Sequence, residues 1–256
     1  MVVTDRPWLG TVRRPRDAAP PWQQATVRAV IDEAPDAVTL RLRLRETSGF
    51  RPGQYYDVRV PVPGRPRPVQ RAYSVGSSPV PDPSLIDLGV RELPGGLASP
   101  LLIHLRVGDV VAVRGPYGRF TWDGADNGPV LLVGAGSGMV PLMSMVRHAA
   151  HRGRQDPVVA VCSAITYSHA FYHDDLASLA ARHSWLHVVH CITRDPSEAR
   201  ADYHRRIDRS VLSASLAGLD PVGAYLCGPP AMVESVSDVL VTLGVDFERI
   251  MTEKYD

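Results

Sequence analysis

Residues 129–141 have the sequence PVLLVGAGSGMVP. The unbroken apolar run at 130–133 is typical of a strand buried on both faces of a parallel sheet. Glycines follow at three alternate positions, and an apolar pattern with helical spacing continues from Met139 to Ala150. A glycine-rich turn that opens a helix lets backbone N–H groups approach a phosphate closely. The stretch therefore predicts a strand, a phosphate-binding turn and a helix, although its G-x-G-x-G spacing differs from the dinucleotide pattern G-x-G-x-x-G.

Toward the C-terminus, the alternation of apolar runs and helical patterns continues. In chain order these segments are 157–162, 174–182, 186–192, 209–217, 224–227 and 230 to about 244. The last helix is predicted to begin at Pro230, because proline suits the first turn of a helix. A repeated strand–helix order predicts a doubly wound parallel sheet, which we assign to a nucleotide-binding α/β domain at residues 127–256.

Toward the N-terminus, the periodicity changes to that of exposed-face strands. Apolar residues alternate with polar ones from Val38 to Arg45 and again from Tyr56 to Val60, as expected for strands with one buried face. Further short strands are predicted at 71–75, 85–91 and 110–114, separated by Gly and Pro. This pattern predicts a small antiparallel β-barrel at residues 22–126. Residues 1–21 are rich in Pro and Arg and are predicted to be a flexible extension.

Composition excludes several classes of protein. The chain has 256 residues with 28 Lys and Arg against 27 Asp and Glu, a balance that does not favour nucleic acid as a partner. It has no apolar signal core and no run long enough to span a membrane, so we expect a soluble, cytoplasmic protein. The three cysteines are too few and too widely spaced for a zinc site or a [2Fe–2S] loop, and no metal site is predicted.

Five short motifs occur in a fixed order and together resemble those of the ferredoxin–NADP reductase superfamily. In chain order they are Arg71-Ala72-Tyr73-Ser74, then Gly95 to Ser99 together with Gly115 to Phe120, then Gly134 to Gly138, then Cys227-Gly228-Pro229, and last the terminal Glu253-Lys254-Tyr255. The turn at 134–138 with Pro141 resembles the superfamily's own G-x-G-x-G-x-x-P segment. Each motif alone is a weak signal, but each lies at a predicted boundary between a strand and a loop. The resemblance extends over nearly the whole chain after residue 21.

The resemblance implies a flavin in the barrel and a nicotinamide nucleotide at the parallel sheet. An Arg can pair with the flavin pyrophosphate, a Tyr ring can pack on the isoalloxazine, and a Ser hydroxyl can bond near N5. The implied flavin-binding residues are Arg71, Ala72, Tyr73, Ser74, Val90, Gly95, Gly96, Leu97, Ala98, Ser99 and Tyr255. The implied nucleotide-binding residues are Gly134, Gly136, Ser137, Gly138, Pro141, Ser163, Thr193, Arg194, Cys227, Gly228, Pro229 and Met232. Those implied to surround hydride transfer are Ser74, Cys227 and Glu253.

The choice of nucleotide is less specified. The strand at 157–162 ends without the carboxylate that often binds the ribose of NAD, which permits a 2′-phosphate. NADPH-binding members of the superfamily commonly carry Ser and Arg two positions apart here, but this chain has Ser163 and Ile165. Unless Arg194 supplies the missing guanidinium, a phosphate would lack its partner. We expect NADPH slightly more than NADH, and FAD rather than FMN only by resemblance.

The acceptor is expected to be a separate molecule, such as ferredoxin or another redox protein. The basic segment Arg65-Pro66-Arg67-Pro68 precedes the flavin motif and is a candidate docking site for an acidic partner, although a solvated loop explains it equally well. Three alternatives stay open: an NAD(P)H:flavin or ferric-chelate reductase, an electron-transfer subunit of a larger complex, and a non-catalytic nucleotide-binding module. The terminal Glu253 to Asp256 can equally be a frayed tail.

Overall fold

The computed structural model describes residues 20–47, 49–124, 128–220 and 222–255. The elements are β1 (Gln23–Ala34), β2 (Ala37–Leu44), β3 (Tyr55–Val60), β4 (Val69–Ser74), β5 (Leu85–Arg91), α1 (Ser99–Leu102), β6 (Val110–Tyr117), β7 (Val130–Ala135), α2 (Met139–His151), β8 (Val158–Ala164), α3 (His173–Arg182), β9 (Leu186–Ile192), α4 (Arg209–Ser215), β10 (Gly223–Gly228), α5 (Pro230–Thr242) and β11 (Ile250–Lys254). Residues 1–19 of the predicted extension, and the predicted boundary between residues 126 and 127, lie outside the described part of the chain.

The first six strands form an antiparallel sheet in the order β4-β3-β6-β1-β2-β5. The two edge strands, β4 and β5, also approach each other. Val75, directly after β4, forms a β-bridge with Leu88 of β5, and the Gly76 N–H donates to the Asp87 carbonyl at 2.7 Å. Alternation on β2 buries Leu40 and Leu42 inside this curved sheet. The predicted antiparallel barrel is therefore confirmed.

The remaining strands form a parallel sheet in the order β11-β10-β7-β8-β9. Helices cover both faces, as two separate apolar clusters show: Leu132 packs with residues of α2 and α3, whereas Leu131 packs with residues of α4 and α5. The connection from β7 leads to one side of the sheet and the strand order reverses between β7 and β10. The doubly wound sheet is thus confirmed, with its switch point directly after residues 130–133.

Two strands, β1 and β11, were not predicted from the sequence. β1 is 12 residues long, but register shifts near Val27–Ala29 and Asp32–Ala34 interrupt its alternation, so no clean period of two is visible. β11 is a short edge strand that pairs in parallel with β10, and most of its residues are at least partly exposed. The expectation of four parallel strands was therefore too low, and the terminal segment from Ile250 to Lys254 is a strand.

Candidate functional site

A cavity of about 940 Å³ lies between β4 and β5 of the barrel and the carboxyl ends of the parallel strands. Sites for organic ligands commonly measure about 300–1,000 Å³, so this one has room for a large ligand. Of the residues that the sequence predicts to bind flavin or nucleotide, those on its wall are Arg71, Ala72, Tyr73, Ser74, Gly96, Leu97, Ala98, Ser99, Gly136, Ser137, Ser163, Thr193, Pro229, Met232 and Tyr255. The predicted catalytic residue Glu253 also lies there.

The barrel side of the cavity is formed chiefly by β4. Antiparallel pairing with β3 puts Tyr55 opposite Ser74, and both line the wall. Arg71 also reaches the wall; its Nη1 donates to the Gln70 carbonyl at 2.8 Å, and it has no carboxylate partner among the described residues. Burial raises the pKa of Tyr73 to about 12, so its phenol keeps its proton at neutral pH. This wall offers an unneutralised guanidinium beside aromatic surface, which suits an anionic ligand with a planar ring.

The loop before α1 forms the end of this wall. The Ser99 hydroxyl accepts a hydrogen bond from the Leu93 N–H at 3.0 Å, and the Gly96 N–H donates to the Leu93 carbonyl at 2.8 Å. Gly95 has a φ of 75°, a left-handed conformation that glycine adopts without strain. The Ser99 hydroxyl therefore holds the loop in shape, and the loop presents Leu97 and Ala98 to the cavity.

On the other side, the glycine-rich turn after β7 approaches the end of β10. A Cβ atom at Gly138 would lie 2.6 Å from the carbonyl carbon of Cys227, so only glycine fits there. A Cβ at Gly134 would overlap the Met139 side chain of α2. Gly136, with a φ of 55°, is the member of this set that lines the cavity, next to Ser137. Two of the three glycines are thus explained by close packing of the turn.

The register between β10 and β11 brings the C-terminal acid to the Cys-Gly-Pro motif. Cys227 pairs with Glu253, and the Cys227 Sγ lies 4.0 Å from a Glu253 carboxylate oxygen. Burial raises the pKa of Glu253 to about 7, and burial together with this carboxylate raises the pKa of the Cys227 thiol. Burial also raises the pKa of Tyr255 well above its usual value. The carboxyl group can therefore hold a proton near neutral pH, with an un-ionised thiol behind it.

The far end of the cavity is lined by the ends of β8 and β9. The Thr193 hydroxyl donates to the Ala164 carbonyl at 3.3 Å, which ties the two strand ends together. The Arg194 N–H donates to the Ile165 carbonyl, and its side chain is exposed and away from the wall. Arg206 lies on the wall instead, without an acidic partner among the described residues. Of Arg194 and Arg206, it is therefore Arg206 whose guanidinium can reach a ligand at this end of the cavity.

Several predicted residues lie off the cavity wall. Val90 is fully buried in the barrel core, because its side chain points inward from β5. Cys227 is also fully buried, behind the wall that Glu253 forms. The complete set away from the wall is Val90, Gly95, Gly134, Gly138, Pro141, Arg194, Cys227 and Gly228.

Sequence reasoning also missed residues that line the cavity, notably Tyr55, Arg91 and Arg206. Arg91 extends from the barrel to the opposite side, where its Nη2 donates to the His169 carbonyl at 2.8 Å. Its Nη1 lies 3.4 Å from the position that a Cβ of Gly136 would occupy. Arg91 ends a predicted strand and could have been found by its position next to Val90. Arg206 carries no such signal, because it lies in the irregular connection between β9 and α4.

The described residues contain no group of three or more His, Cys, Asp or Glu side chains able to hold a metal ion. Among the same residues, no helix combines the length and apolar character needed to cross a membrane. The arrangement does fit a dinucleotide: Arg71 is free to pair with a phosphate, and the turn at Gly136 leaves backbone close to the cavity.

Comparison with known proteins identifies two families along the chain. Residues 24–122 match the family described as "Oxidoreductase FAD-binding domain", and residues 132–238 match "Oxidoreductase NAD-binding domain". The chain is 30% identical over 233 residues to the ferredoxin–NAD(P)+ reductase component of a naphthalene 1,2-dioxygenase system from Pseudomonas putida, covering 91% of this chain and 68% of that protein. It is 28% identical to the reductase component of propane 2-monooxygenase from Mycolicibacterium goodii, covering 90% of this chain and 66% of that one.

Solved structures show the same architecture. A cytochrome P450 reductase from Amycolatopsis superposes with a TM-score of 0.79 at 29% identity, over 92% of this chain and 70% of that one. A ferredoxin NADP+ reductase from Neisseria gonorrhoeae with bound FAD and NADP superposes with a TM-score of 0.79 at 21% identity, over 91% and 98% of the two chains, which shows the fold alone. The chain thus spans about two thirds of the length of the two curated relatives above.

Proposed function

Because the chain belongs to the ferredoxin–NADP reductase superfamily of FAD- and NAD-binding oxidoreductases, we propose that it transfers a hydride from NADPH or NADH to FAD and passes electrons to a separate acceptor. The observation that carries this proposal is the single cavity shared by Ser74 of the barrel and Glu253 of the parallel sheet. Hydride transfer requires two ring systems in contact, and a shared cavity allows this without a large rearrangement. We also propose a division into a flavin-binding domain at residues 22–126 and a nucleotide-binding domain at 127–256, which the presence of two separate sheets supports.

The barrel residues would bind and orient the flavin, which supplies the hydride-accepting ring when bound. Arg71 would pair with a phosphate oxygen, Tyr73 would pack on the ring system, and the Ser74 hydroxyl would donate a hydrogen bond to the ring edge. The Leu97–Ala98 backbone would enclose the pyrophosphate. Tyr255, at the end of β11, would cover the ring face and have to move aside for nicotinamide.

Glu253 and Cys227 would shape the place of transfer. A carboxyl group with a pKa of about 7 can hold a proton or release it near neutral pH. The buried thiol stays protonated and lies behind the carboxyl group, so it would support Glu253 by packing more than by contact with nicotinamide. These assignments predict that Glu253 affects the pH dependence of turnover.

The wall at the far end favours NADPH over NADH. Ser163 can donate a hydrogen bond to a 2′-phosphate, and Arg206 supplies a guanidinium that no described acid neutralises. No carboxylate follows β8 to bind the free 2′-hydroxyl of NADH. The proposed donor is therefore NADPH, and NADH is expected to work at higher concentration.

The proposed acceptor is an acidic redox protein such as a ferredoxin. Arg65 and Arg67 lie exposed in the connection between β3 and β4, immediately before the strand that carries the flavin motif. Exposed cations near an electron-transfer centre accelerate encounter with an acidic partner at low ionic strength.

Arg65→Glu combined with Arg67→Glu should lower the rate of ferredoxin reduction at low salt by about tenfold, and high salt should abolish the difference. The control is Arg152→Glu with Arg182→Glu, an equal charge change at exposed positions next to α2 and in α3. Equal losses in both double variants would show that net charge, and not this segment, controls docking.

The proposed function is tested by the visible spectrum of the purified protein, followed by anaerobic titration with NADPH and with NADH. A yellow protein that bleaches has a reducible flavin, and the more effective nucleotide is the donor. Retention of flavin through gel filtration together with poor activity on free flavins would separate this function from a flavin reductase. A protein that stays colourless after incubation with FAD and with FMN would refute the proposal.

A further inference from the structure

Residues 76–78, which follow β4, are hydrogen-bonded to one face of α2. The Ser144 hydroxyl donates to the Ser77 carbonyl at 2.5 Å, and Arg147 Nη1 donates to the Gly76 carbonyl at 2.8 Å. One turn further, His148 Nδ1 and the Ser78 hydroxyl are 3.2 Å apart. The positions 144, 147 and 148 lie on the same face of a helix. Three successive residues of the barrel are therefore held by one helix of the α/β part.

Arg147 also connects this helix to a buried charge in the barrel. Its Nη1 lies 3.8 Å from a carboxylate oxygen of Asp87 on β5, and its Nη2 forms an ion pair with Asp175 of α3. The Asp87 side chain is only 3% exposed and accepts two hydrogen bonds from Arg41, each 2.8 Å long. A carboxylate buried to this extent is costly unless cationic partners surround it, as Arg41 and Arg147 do here. We call Asp87, Ser144, Arg147 and His148, with residues 76–78, the α2 clamp.

Tyr172 reinforces the same boundary from the start of α3. Its backbone N–H donates to Glu33 of β1, and its hydroxyl accepts a hydrogen bond from Thr39 of β2 at 3.2 Å. Arg147 lies over its ring, 4.9 Å from the centroid. Tyr172 has a φ of 60°, which is unfavourable for a residue other than glycine, so its surroundings must hold it there. Tyr172 and Arg147 thus add a second set of contacts between the two sheets beside residues 76–78.

The clamp joins the two binding motifs by very short stretches of chain. Ser74, the last residue of the flavin motif, is two residues from Gly76. Gly138, the last residue of the glycine-rich turn, is six residues from Ser144, or about 9 Å along a helix at 1.5 Å per residue. A rigid connection of this length transmits the position of one motif to the other with little slack.

We propose that the α2 clamp is a positioning element that sets the separation between the bound nicotinamide and the flavin. This inference rests on the proposed function, because it concerns the same hydride transfer. Arg147 does not line the cavity, so it acts through the position of α2. Loss of the clamp therefore changes the rate of transfer within the complex and leaves nucleotide binding nearly unchanged. A role in stability alone would change neither quantity.

Arg147→Met tests this, because methionine keeps much of the length of the side chain but removes its donors and charge. In anaerobic stopped-flow experiments, the limiting rate of flavin reduction should fall about tenfold to a hundredfold, since a misplacement of about 1 Å can cost about a hundredfold. The Kd for the nucleotide should stay within about twofold. Arg147→Lys should restore part of the rate, because lysine can pair with an Asp but cannot make all the contacts of the guanidinium.

The matched control is Arg43→Met, which removes an arginine bound to Asp82 and Ser84 within the barrel alone. It should leave both the limiting rate and the Kd at wild-type values. Equal limiting rates in Arg147→Met and Arg43→Met would overturn the inference. A raised Kd with an unchanged limiting rate would also overturn it, because Arg147 would then act on binding.

If Arg147→Met does not fold, Ser144→Ala decides the question, because it removes only the hydrogen bond to the Ser77 carbonyl. A limiting rate lowered about twofold or more at wild-type Kd supports the clamp, and an unchanged rate refutes it. A wild-type protein whose flavin is reduced by neither nucleotide would refute the proposed function and this inference together. Normal reduction of the wild type with an unaffected Arg147→Met variant refutes the clamp alone.

Discussion

Gly138→Ala tests why glycine occupies the last position of the turn after β7. The backbone there is helical, with φ of −59° and ψ of −18°, so the substitution meets no conformational penalty. Alanine would in fact favour the helix by about 1 kcal/mol relative to glycine. The obstacle is steric: the new Cβ would lie 2.6 Å from the Cys227 carbonyl carbon and 3.1 Å from the Gly228 Cα. Both are backbone atoms, which cannot rotate away as a side chain can.

The magnitude follows from this overlap. Relief requires the turn and the end of β10 to separate by roughly 1 Å, and overpacking of this kind costs about 1–3 kcal/mol. For a protein of this size, each kcal/mol lowers the Tm by roughly 2–4 °C, so this cost predicts a fall of about 2–12 °C. The same separation moves the turn relative to the Cys-Gly-Pro motif, so the limiting rate of flavin reduction should fall by about tenfold or more. Flavin content should be normal, because the barrel is untouched.

The assay combines thermal unfolding followed by circular dichroism with anaerobic reduction by NADPH. Gly223→Ala is the matched control: it lies at the start of β10, the strand whose end Gly138 approaches, and a Cβ there has no neighbouring atom within 4 Å. This control should change the Tm by less than about 2 °C. If Gly138→Ala behaves like Gly223→Ala in both assays, the turn has more freedom than the contact with Cys227 allows, and the reasoning is refuted.

Three other substitutions probe the cavity wall. Burial raises the pKa of Glu253 from 4.5 to about 7, so turnover should fall as the pH rises through about 7, and the Glu253→Gln variant should lose this pH dependence. The stability of the wild type should also fall between pH 4.5 and about 7, because the folded state retains a proton that the unfolded chain has released. Arg206→Met should raise the KM for NADPH by about tenfold or more and leave the KM for NADH nearly unchanged, whereas Arg194→Met should change neither KM. Equal effects of the two variants on the KM for NADPH would contradict the assignment of Arg206 to the 2′-phosphate. Ser99→Ala leaves the Leu93 N–H without its acceptor and should weaken flavin retention in gel filtration, and unchanged retention would show that the loop does not depend on this bond.

The parallel sheet and β4 could be predicted because their signals are local. The run at 130–133 is apolar throughout, and the glycines that follow it leave few alternatives to a turn. β1 could not be predicted from alternation, because its bulges shift the buried face part way along the strand. β11 offers only five residues, and its partner β10 lies more than 20 residues earlier in the chain.

The candidate site was predictable where a motif coincides with a strand end, and less so elsewhere. Tyr73 and Ser74 line the cavity as expected, since they end β4 at its rim. The position of Cys227 behind Glu253 depends on the register between two strands, which no local pattern encodes. Arg206 was missed for a related reason: the connection that carries it has no periodicity, and only the folded structure brings it to the cavity that the end of β8 also lines.

The seam between β4 and β5 has a consequence for how a cofactor enters. Among the residues that the structure describes, β4 has a full partner only in β3, and its other side is joined to β5 by one bridge at Val75 and by the Gly76 N–H. Breathing of the barrel should therefore begin along this line, and the Gly76 amide should exchange with solvent earlier than amides in β1 or β2. Helix α2 binds residues 76–78 at the same place. Binding of the flavin to the barrel and packing of the barrel against the α/β part should therefore stabilise each other. In the flavin-free protein we expect faster amide exchange both at the edge between β4 and β5 and where residues 76–78 contact α2, and slower exchange at both once the cofactor is bound.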